Sequence, residues 1–284
     1  MKCLGGRQMK IRILMSVMAA FAISIGTAHA QQAGDNMVNF GWMHIAPQDS
    51  SSPMTTSVNQ QFLAPLVVPA NFTSPGTGAS VSNGDTAALV FTHFFTDNIA
   101  AQMVTGIPPT FQLTGHGVIA PPGIAGALSS IDIGAPNNNP IVGSVRQWSP
   151  AVVLQYYFGE AQSRLRPFLG VGVSYTFFTN IKLNPHFENE LNQNFGSVLT
   201  TLSGRTGPTS VEASSSPSWE PVFNAGLSYA INKHWFASAS VSYVPLKTTA
   251  TIKIKAADGT VLSTSDANIK INPIVTYLSL GYRF

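Results

Sequence analysis

The stretch VTYLSLGYRF, residues 275–284, is the most informative part of this chain. In an extended strand its side chains alternate between two faces, with Leu278, Leu280, Tyr282 and Phe284 on one and Tyr277, Ser279, Gly281 and Arg283 on the other. The first face is apolar and ends in aromatic rings, whereas the second is small or polar. This pattern is typical of the closing strand of an outer-membrane β-barrel, in which one face meets lipid and the other meets the lumen. A soluble edge strand can show the same alternation, so the rest of the chain has to decide.

The first thirty residues have the pattern of a secretory signal peptide. Basic residues, Lys2, Arg7, Lys10 and Arg12, precede the apolar run 13–25, and Ala28-His29-Ala30 supplies the small residues that a signal peptidase recognises. The apolar run is shorter than the ~20 residues of a spanning helix. We therefore expect residues 1–30 to be cleaved and residues 31–284 to form a single domain. The only cysteine, Cys3, leaves with this segment, so the mature chain has no thiol.

Charge and composition argue against a nucleic-acid-binding protein and against a helical membrane protein. The net charge of the full chain is +3, but four basic residues lie in the leader, which leaves 11 basic and 12 acidic residues and a mature net charge of −1. The basic isoelectric point therefore gives no argument for nucleic-acid binding. Only 10% of residues are charged, against about a quarter in soluble domains. Because no mature segment is a long apolar run, this low charge favours a β-barrel over a helical membrane protein.

Eight segments of the mature chain alternate with a period of two residues and predict eight strands. They are 37–46, 86–95, 99–107, 147–158, 167–178, 219–230, 235–255 and 268–284. The fifth is the clearest, because Leu169, Val171 and Val173 alternate with glycine and serine. Small inward residues suit an eight-stranded barrel, in which side chains crowd near the axis.

The connections between these segments alternate in length. Residues 96–98, 159–166 and 231–234 are short joins, whereas 47–85, 108–146 and 179–218 are each roughly forty residues rich in Pro, Gly, Asn and Ser, which predicts loops. Barrels with brief periplasmic turns and large external loops show this alternation. The fold class predicted is all-β: an eight-stranded antiparallel transmembrane barrel with long extracellular loops and both termini in the periplasm.

The seventh segment changes its apolar parity at Pro245. Apolar residues are odd-numbered up to Tyr243 and even-numbered from Leu246 onward, where Lys253 and Lys255 lie on the opposite face. We interpret this as a bulge, or as the strand leaving the bilayer. Lysines facing hydrocarbon cost about 2–4 kcal/mol each near the midplane, so Lys253 and Lys255 are expected outside the membrane, paired with the start of the eighth strand.

Several motifs together resemble the OmpW-type outer-membrane proteins. They are TDNIA at 96–100, QYYFGEAQSRLRPFLGVGVSYTFF at 155–178, INKHWFASASVSY at 231–243 and GYRF at 281–284. The resemblance implies an eight-stranded barrel with a narrow, largely hydrophobic lumen that admits small apolar molecules and releases them sideways into the membrane. The chain departs from the family pattern in its expanded loops and in Asn39, which stands where relatives often carry a basic residue.

Three groups of residues are the candidate sites. Inward valines and one phenylalanine are predicted to line a channel: Val90, Phe94, Val104, Val153 and Val244. The alternative is that they merely plug an eight-stranded lumen. The terminal aromatics Tyr282 and Phe284 are predicted to be an assembly signal for the barrel-assembly machinery. Basic residues near the external rim, Arg146, Lys247, Lys253 and Lys255, are candidates for lipopolysaccharide phosphates, although solvated lysines are the commoner case.

No catalytic or metal-binding pattern accompanies these groups. The histidines have no HExxH or His/Cys spacing, no Gly-x-Ser-x-Gly motif occurs, and Glu188 with Glu190 suits a solvated loop better than a calcium site. We therefore predict no enzyme activity, no cofactor, no metal and no nucleic-acid partner. The function predicted is uptake of small hydrophobic molecules by a monomeric barrel in the outer membrane of a Gram-negative bacterium. The alternative is a closed barrel whose loops bind lipopolysaccharide, phage or host partners.

Overall fold

A computed structural model describes residues 31–59 and 63–284. The predicted signal peptide, residues 1–30, lies outside the described residues. The strands are β1 (Asn36–Ala46), β2 (Ser50–Ser51), β3 (Met54–Val58), β4 (Asn71–Ser74), β5 (Gly78–Val81), β6 (Gly84–Phe94), β7 (Ile99–Gly106), β8 (Thr110–His116), β9 (Val118–Ile119), β10 (Ile131–Asp132), β11 (Val142–Trp148), β12 (Ala151–Tyr157), β13 (Leu165–Leu183), β14 (Ser210–Ser215), β15 (Ser218–Ala230), β16 (Trp235–Tyr243), β17 (Lys247–Lys255), β18 (Val261–Lys270) and β19 (Ile274–Arg283). Short helices are α1 (Ala64–Val67), α2 (Ile124–Ser129), α3 (Pro185–Glu190), a π-helix (Leu191–Gly196) and α4 (Ser197–Leu202).

Eight of these strands close into an antiparallel barrel. Their order around the wall is β12, β7, β6, β1, β19, β16, β15 and β13, and β13 pairs back onto β12. The closing pair of the chain ends, β1 with β19, runs in unbroken register from Met37↔Arg283 to Ala46↔Ile274. The predicted eight-stranded barrel is confirmed.

The alternation read from the sequence is the alternation of burial in the wall. In β13, the outward Leu169 and Val171 are 54% and 59% exposed, whereas Phe168, on the inward face, is 4% exposed. Outward aliphatic and aromatic side chains repeat this pattern on every barrel strand, so the wall presents an apolar surface to lipid. Inside, Gly226 allows the Phe168 ring to approach, since a Cβ there would lie 2.4 Å from its Cζ.

Three predicted strands are divided in the structure by a proline. The fourth is split between β11 and β12 at Ser149-Pro150, the seventh between β16 and β17 at Val244–Leu246, and the eighth between β18 and β19 at Ile271–Pro273. Proline has no N–H to donate to the sheet, which ends the ladder at each point. The parity change at Pro245 is therefore the strand leaving the barrel wall.

The predicted long joins between barrel strands are confirmed, but they contain regular secondary structure. They form a second sheet of order β14, β17, β18, β3 and β4, with β2 on β18, while β11, β8 and β5 extend the barrel sheet beyond β13. Lys253 and Lys255 pair with Thr264 and Val261, just before the predicted eighth strand. We call residues 47–59, 63–83, 107–148, 179–217 and 244–273 the loop module.

The loop module has an apolar core of its own. Phe72, Phe111, Phe187, Phe195 and Leu199 are among its buried side chains, packed between its strands and its short helices. No helix in the described part of the chain is long and apolar enough to cross a membrane.

Candidate functional site

The lumen is filled at the end that carries the chain termini and the short turns. Seven side chains, which we call the aromatic plug, are each at most 4% exposed there: Met37, Phe94, Ala100, Tyr157, Phe168, Ala230 and Phe236. The Tyr157 ring lies 4.9 Å from Phe94 and 5.0 Å from Phe168, centroid to centroid. Packing this close leaves no passage along the axis at this end.

Arg166 sits under the plug and is 1% exposed. Its guanidinium donates to the carbonyl oxygens of Gln31 at 2.9 Å and Asp97 at 2.6 Å, and more weakly to that of Tyr157 at 3.4 Å. It also lies 5.4 Å from the centre of the Tyr157 ring. Arg166 therefore ties the N-terminal segment and two short turns to the plug.

A layer of amides crosses the middle of the lumen above the plug. Gln155 donates to Asn224 Oδ1 at 2.8 Å and to Gln102 Oε1 at 3.1 Å, and it accepts from the Tyr157 hydroxyl at 3.1 Å. Asn224 in turn donates to Ser242 Oγ at 2.9 Å. The layer links four strands around the barrel and satisfies its own polar atoms.

A cavity of about 120 Å³ lies above this amide layer, and we call it the lumen cavity. Apolar residues form most of its wall, among them Met43, Ile45, Val90, Val104, Val153, Val222, Val244, Leu246 and Val275. Apolar protein cavities of about 150 Å³ hold a benzene molecule. The lumen cavity therefore has the size and lining for part of a small apolar solute.

A second cavity of about 100 Å³ lies inside the loop module, and we call it the module cavity. Its lining comes from both sheets and is almost entirely apolar, with Val81, Phe111, Leu113, Ile141, Phe178, Ile252 and Ile269 among the contributors. An apolar compartment between the two sheets therefore lies directly beyond the lumen cavity.

The barrel wall has a gap in its backbone hydrogen bonding between β7 and the junction of β11 with β12. We call this gap the window. The last pair of β7 and β12 is Val104↔Ala151, and the next hydrogen bond upward runs from Gln147 N to Pro109 O at 3.1 Å. Within this described stretch of wall, no backbone hydrogen bond joins the strands between those two points. The window holds about 290 Å³ and is lined by inward residues such as Val104 and by outward residues such as Ile107 and Trp148.

Gln147 lines the lumen cavity, the module cavity and the window. Its side chain is 9% exposed and donates to Ser149 Oγ at 2.9 Å, and Ser149 is hydrogen-bonded to Thr176 Oγ1 at 2.9 Å. One side chain thus borders three spaces, so the spaces meet around it.

Comparison with known proteins identifies the family. The model of the OmpW family matches residues 32–284. The chain belongs to the OmpW family. Outer membrane protein W of Vibrio cholerae is 27% identical over 93% of this chain and 94% of its own length. The dibenzothiophene metabolism operon protein PahQ of Pseudomonas aeruginosa is 23% identical over 74% of this chain and 76% of its own length.

A solved structure agrees with the fold. The outer membrane protein OprG from Pseudomonas aeruginosa superimposes with a TM-score of 0.64 and 22% identity, covering 90% of this chain and 99% of that one. Members of the OmpW family are outer-membrane barrels, and this chain is one, in the outer membrane of a Gram-negative bacterium.

The structure distributes the predicted channel residues of this OmpW-family barrel over two regions. Val90, Val104, Val153 and Val244 line the lumen cavity together, whereas Phe94 belongs to the aromatic plug. Their part in conduction stays a prediction. Its position in the sequence could have distinguished Phe94 from the valines, because Phe94 is the last residue of β6 and lies next to the short join 96–98.

The predicted rim cations do not form one patch. Lys255 is paired with Glu212, and Lys253 stands opposite Glu212 in the sheet. Lys247 lies eight residues away along β17, about 26 Å at strand spacing, and Arg146 is on β11. Lys247 instead stands directly opposite Lys270 of β18, and both are exposed.

The terminal aromatics close the wall. Tyr282 faces outward, 5.6 Å from the His234 ring and 5.2 Å from the Trp235 ring, and Phe284 N donates to Asn36 O at 3.0 Å. Their role as an assembly signal is untested by this geometry and stays a prediction.

Titratable groups of the loop module have perturbed pKa values. The backbone N–H of Thr260, with its side chain and Arg205, lowers the pKa of Asp258 from 3.8 to about 2. The hydrogen bond from Lys255 lowers the pKa of Glu212.

Throughout residues 31–59 and 63–284, no three His, Cys, Asp or Glu side chains gather as a metal site would require.

Proposed function

We propose that this protein takes up small apolar molecules by a bent path: from the loop module, through the lumen cavity, and out through the window into the bilayer. The observation that carries the proposal is that Gln147 borders all three spaces. The lining along the path is apolar and distributed, which suits passage because a tight site would trap the passenger.

The aromatic plug blocks the route along the barrel axis, so the proposed path has to turn sideways. A solute that reaches the lumen cavity meets the amide layer and then closely packed rings, with Arg166 held behind them. The window opens beside Val104, at the level where the cavity lies, and its outer edge carries lipid-facing side chains. Sideways release is therefore the exit that costs least.

The relatives support an apolar passenger. The name of PahQ connects that protein with the metabolism of dibenzothiophene, an apolar aromatic compound. We propose the same broad class here, with transport and no catalysis as the role of the barrel, and with no cofactor.

The test is uptake in a strain lacking the protein, with and without complementation, comparing n-octane with a polar sugar of similar size. We expect complementation to raise octane uptake and to leave sugar flux unchanged. Folded barrel in the outer membrane is verified by heat-modifiable migration. Equal uptake of octane in both strains, with folded protein present, rules the conduit out.

Lumen variants locate the path. Val104→Asp and Val153→Asp place a charged group in the lumen cavity, and Val104→Thr and Val153→Thr are controls of matched shape. We expect the aspartates to slow octane uptake severalfold, because an apolar solute must then pass a solvated carboxylate. Aspartate variants that insert correctly and transport octane at the wild-type rate contradict this lining.

We also propose an orientation and a lipid partner. The loop module faces outward and the chain termini face the periplasm, as the alternation of long and short joins implies.

Lys247 and Lys270 stand directly opposite one another, a repulsive arrangement in a sheet. Neither forms an ion pair within the described residues, so a lipopolysaccharide phosphate between them relieves the repulsion. Replacing both with glutamine is expected to reduce lipopolysaccharide co-purification.

A further inference from the structure

Gln147 stands between the module cavity and the lumen cavity. Among the described residues, it is the only one that lines both of these spaces. The lumen cavity and the window adjoin along a longer boundary, since Met43, Ile45, Val104 and Ser149 line both of them together with Gln147. Gln147 is therefore the partition that a solute meets when it passes from the loop module into the lumen.

The backbone of Gln147 is fixed, but its side chain is held by one bond. Its N donates to Pro109 O at 3.1 Å, and the residue stands opposite Phe178 in the sheet. The amide Nε2 donates to Ser149 Oγ at 2.9 Å, and Oε1 accepts no hydrogen bond from the described residues. A single hydrogen bond between neutral groups is a weak restraint. The side chain can therefore change rotamer while the wall stays intact.

The two other amides that line the lumen cavity are held more firmly. Gln102 accepts from Gln155 through Oε1 and donates to Thr92 through Nε2. Asn224 has hydrogen-bond partners for its oxygen and its nitrogen as well. Among these three amides, Gln147 is thus the one whose side chain is free to move.

Each cavity is too small to hold a whole solute by itself. The volumes of the module cavity and the lumen cavity are about 100 Å³ and 120 Å³. Both are below the ~150 Å³ of an apolar cavity that holds a benzene molecule. A longer hydrocarbon must therefore lie in both cavities at once, and it then crosses the place that the Gln147 side chain occupies.

We infer that Gln147 selects solutes by their width. This inference rests on the proposed conduit and narrows its substrate class to slender apolar molecules, such as unbranched alkyl chains. The amide turns aside for a single alkyl chain and obstructs branched or ring-shaped molecules. Because Gln147 contacts the passing solute, it is a specificity-determining residue of the path.

The test places a thiol beyond the partition and measures how fast reagents of two widths reach it. Val153→Cys puts this thiol in the lumen cavity of a mature chain that is expected to contain no other. The purified full-length barrel in lipid nanodiscs is treated with methyl methanethiosulfonate or with the wider benzyl methanethiosulfonate. With Gln147 present, we expect the methyl reagent to react at least roughly tenfold faster, because one methylene too many in an apolar pocket already costs about that factor. Adding Gln147→Ala is expected to raise the benzyl rate severalfold and to change the methyl rate little.

Three controls separate width selection from other causes. Ala257→Cys, in the exposed turn between β17 and β18, gives the intrinsic rate of each reagent. Gln112→Ala shortens an exposed glutamine of the loop module and is expected to leave the benzyl-to-methyl ratio unchanged. Gln147→Met keeps an unbranched side chain of similar length and is expected to preserve most of the discrimination. If Gln147→Ala does not fold, Ser149→Ala releases the amide and raises the same ratio.

The two ways in which the experiment can fail are distinct. A thiol at position 153 that reacts with an unchanged benzyl-to-methyl ratio in folded Gln147→Ala overturns the assignment of Gln147 and leaves the conduit standing. A thiol at position 153 that reacts with neither reagent, while one at position 257 reacts with both, overturns the conduit itself.

Discussion

At the scale of single residues, Arg166 shows how much of this lumen depends on polar atoms under an apolar plug. Its guanidinium donates to the carbonyl oxygens of Gln31 and Asp97, whereas the Tyr157 carbonyl also accepts from Asn98 Nδ2 at 2.7 Å. We expect Arg166→Met to leave the carbonyls of Gln31 and Asp97 unpaired and to destabilise the barrel by about 3 kcal/mol. Urea unfolding in lipid vesicles measures this. Lys233→Met, in the exposed turn 231–234, is the control, and equal stability of the two variants contradicts the role of Arg166.

Asp258 predicts a pH dependence confined to the loop module. Hydrogen bonds from Thr260 and Arg205 lower its pKa from 3.8 to about 2, so its ionised form stabilises the folded module above pH 4. That stabilisation is lost as the pH falls from about 4 through 2. Pepsin cleavage of the module is expected to be faster in Asp258→Asn than in wild type at pH 5, and the difference is expected to narrow as the pH falls to 2. A difference that does not change with pH contradicts the lowered pKa.

Sequence parity assigned inward and outward faces correctly, but it did not reveal what inward polar residues do. The alternation along residues 219–230 puts Glu220 and Asn224 on the lumen face, yet only the structure shows that Asn224 Oδ1 accepts from Gln155 and that Glu220 Oε2 lacks a comparable bond. Arg166 was noted only as part of a motif. Hydrogen bonds across a barrel join residues from strands that are far apart in sequence, so alternation within one strand carries no information about them.

At the scale of elements, strands with lipid on one side were predictable, whereas most strands of the loop module were not; β17, inside the predicted segment 235–255, is the exception. β13 and β15 contrast apolar with small residues because lipid and lumen demand different side chains. β3 and β14, with sequences MTTSV and SVEASS, lie in the loop module and show little of that contrast. They are held in place by pairing with β17 and β18, whose partners no local pattern specifies.

The window between β7 and β12 gives a prediction at the same scale. Thr105 lines it from the outward face, so Thr105→Trp is expected to obstruct the exit and slow octane uptake severalfold. Binding of an apolar fluorophore to the lumen cavity of the purified barrel is expected to remain as in wild type, because the cavity itself is unchanged. Thr276→Trp places the same ring on the outward face of β19, away from the window. Equal transport by both variants is evidence against exit through this gap.

At the scale of the whole molecule, one strand joins the two halves of the path. β13 has 19 residues, whereas a tilted barrel strand needs only about 9–11 to cross the bilayer. Its first part pairs with β12 and β15 in the wall, and its last part pairs with β11 in the loop module. Because one continuous strand carries both, the module cavity is held in fixed register above the lumen cavity. The proposed conduit therefore depends on the whole chain, not on the barrel alone.

The orientation of this assembly can be measured directly, because the mature chain is expected to contain no cysteine. Ala257→Cys lies in the turn between β17 and β18, and Lys233→Cys lies in the turn between β15 and β16 at the opposite end of the barrel. In intact cells, a membrane-impermeant maleimide is expected to label position 257 and to spare position 233. Permeabilising the outer membrane makes both accessible, which controls for reactivity. Labelling of position 233 alone in intact cells reverses the orientation, and the loop module then becomes the exit chamber of the path.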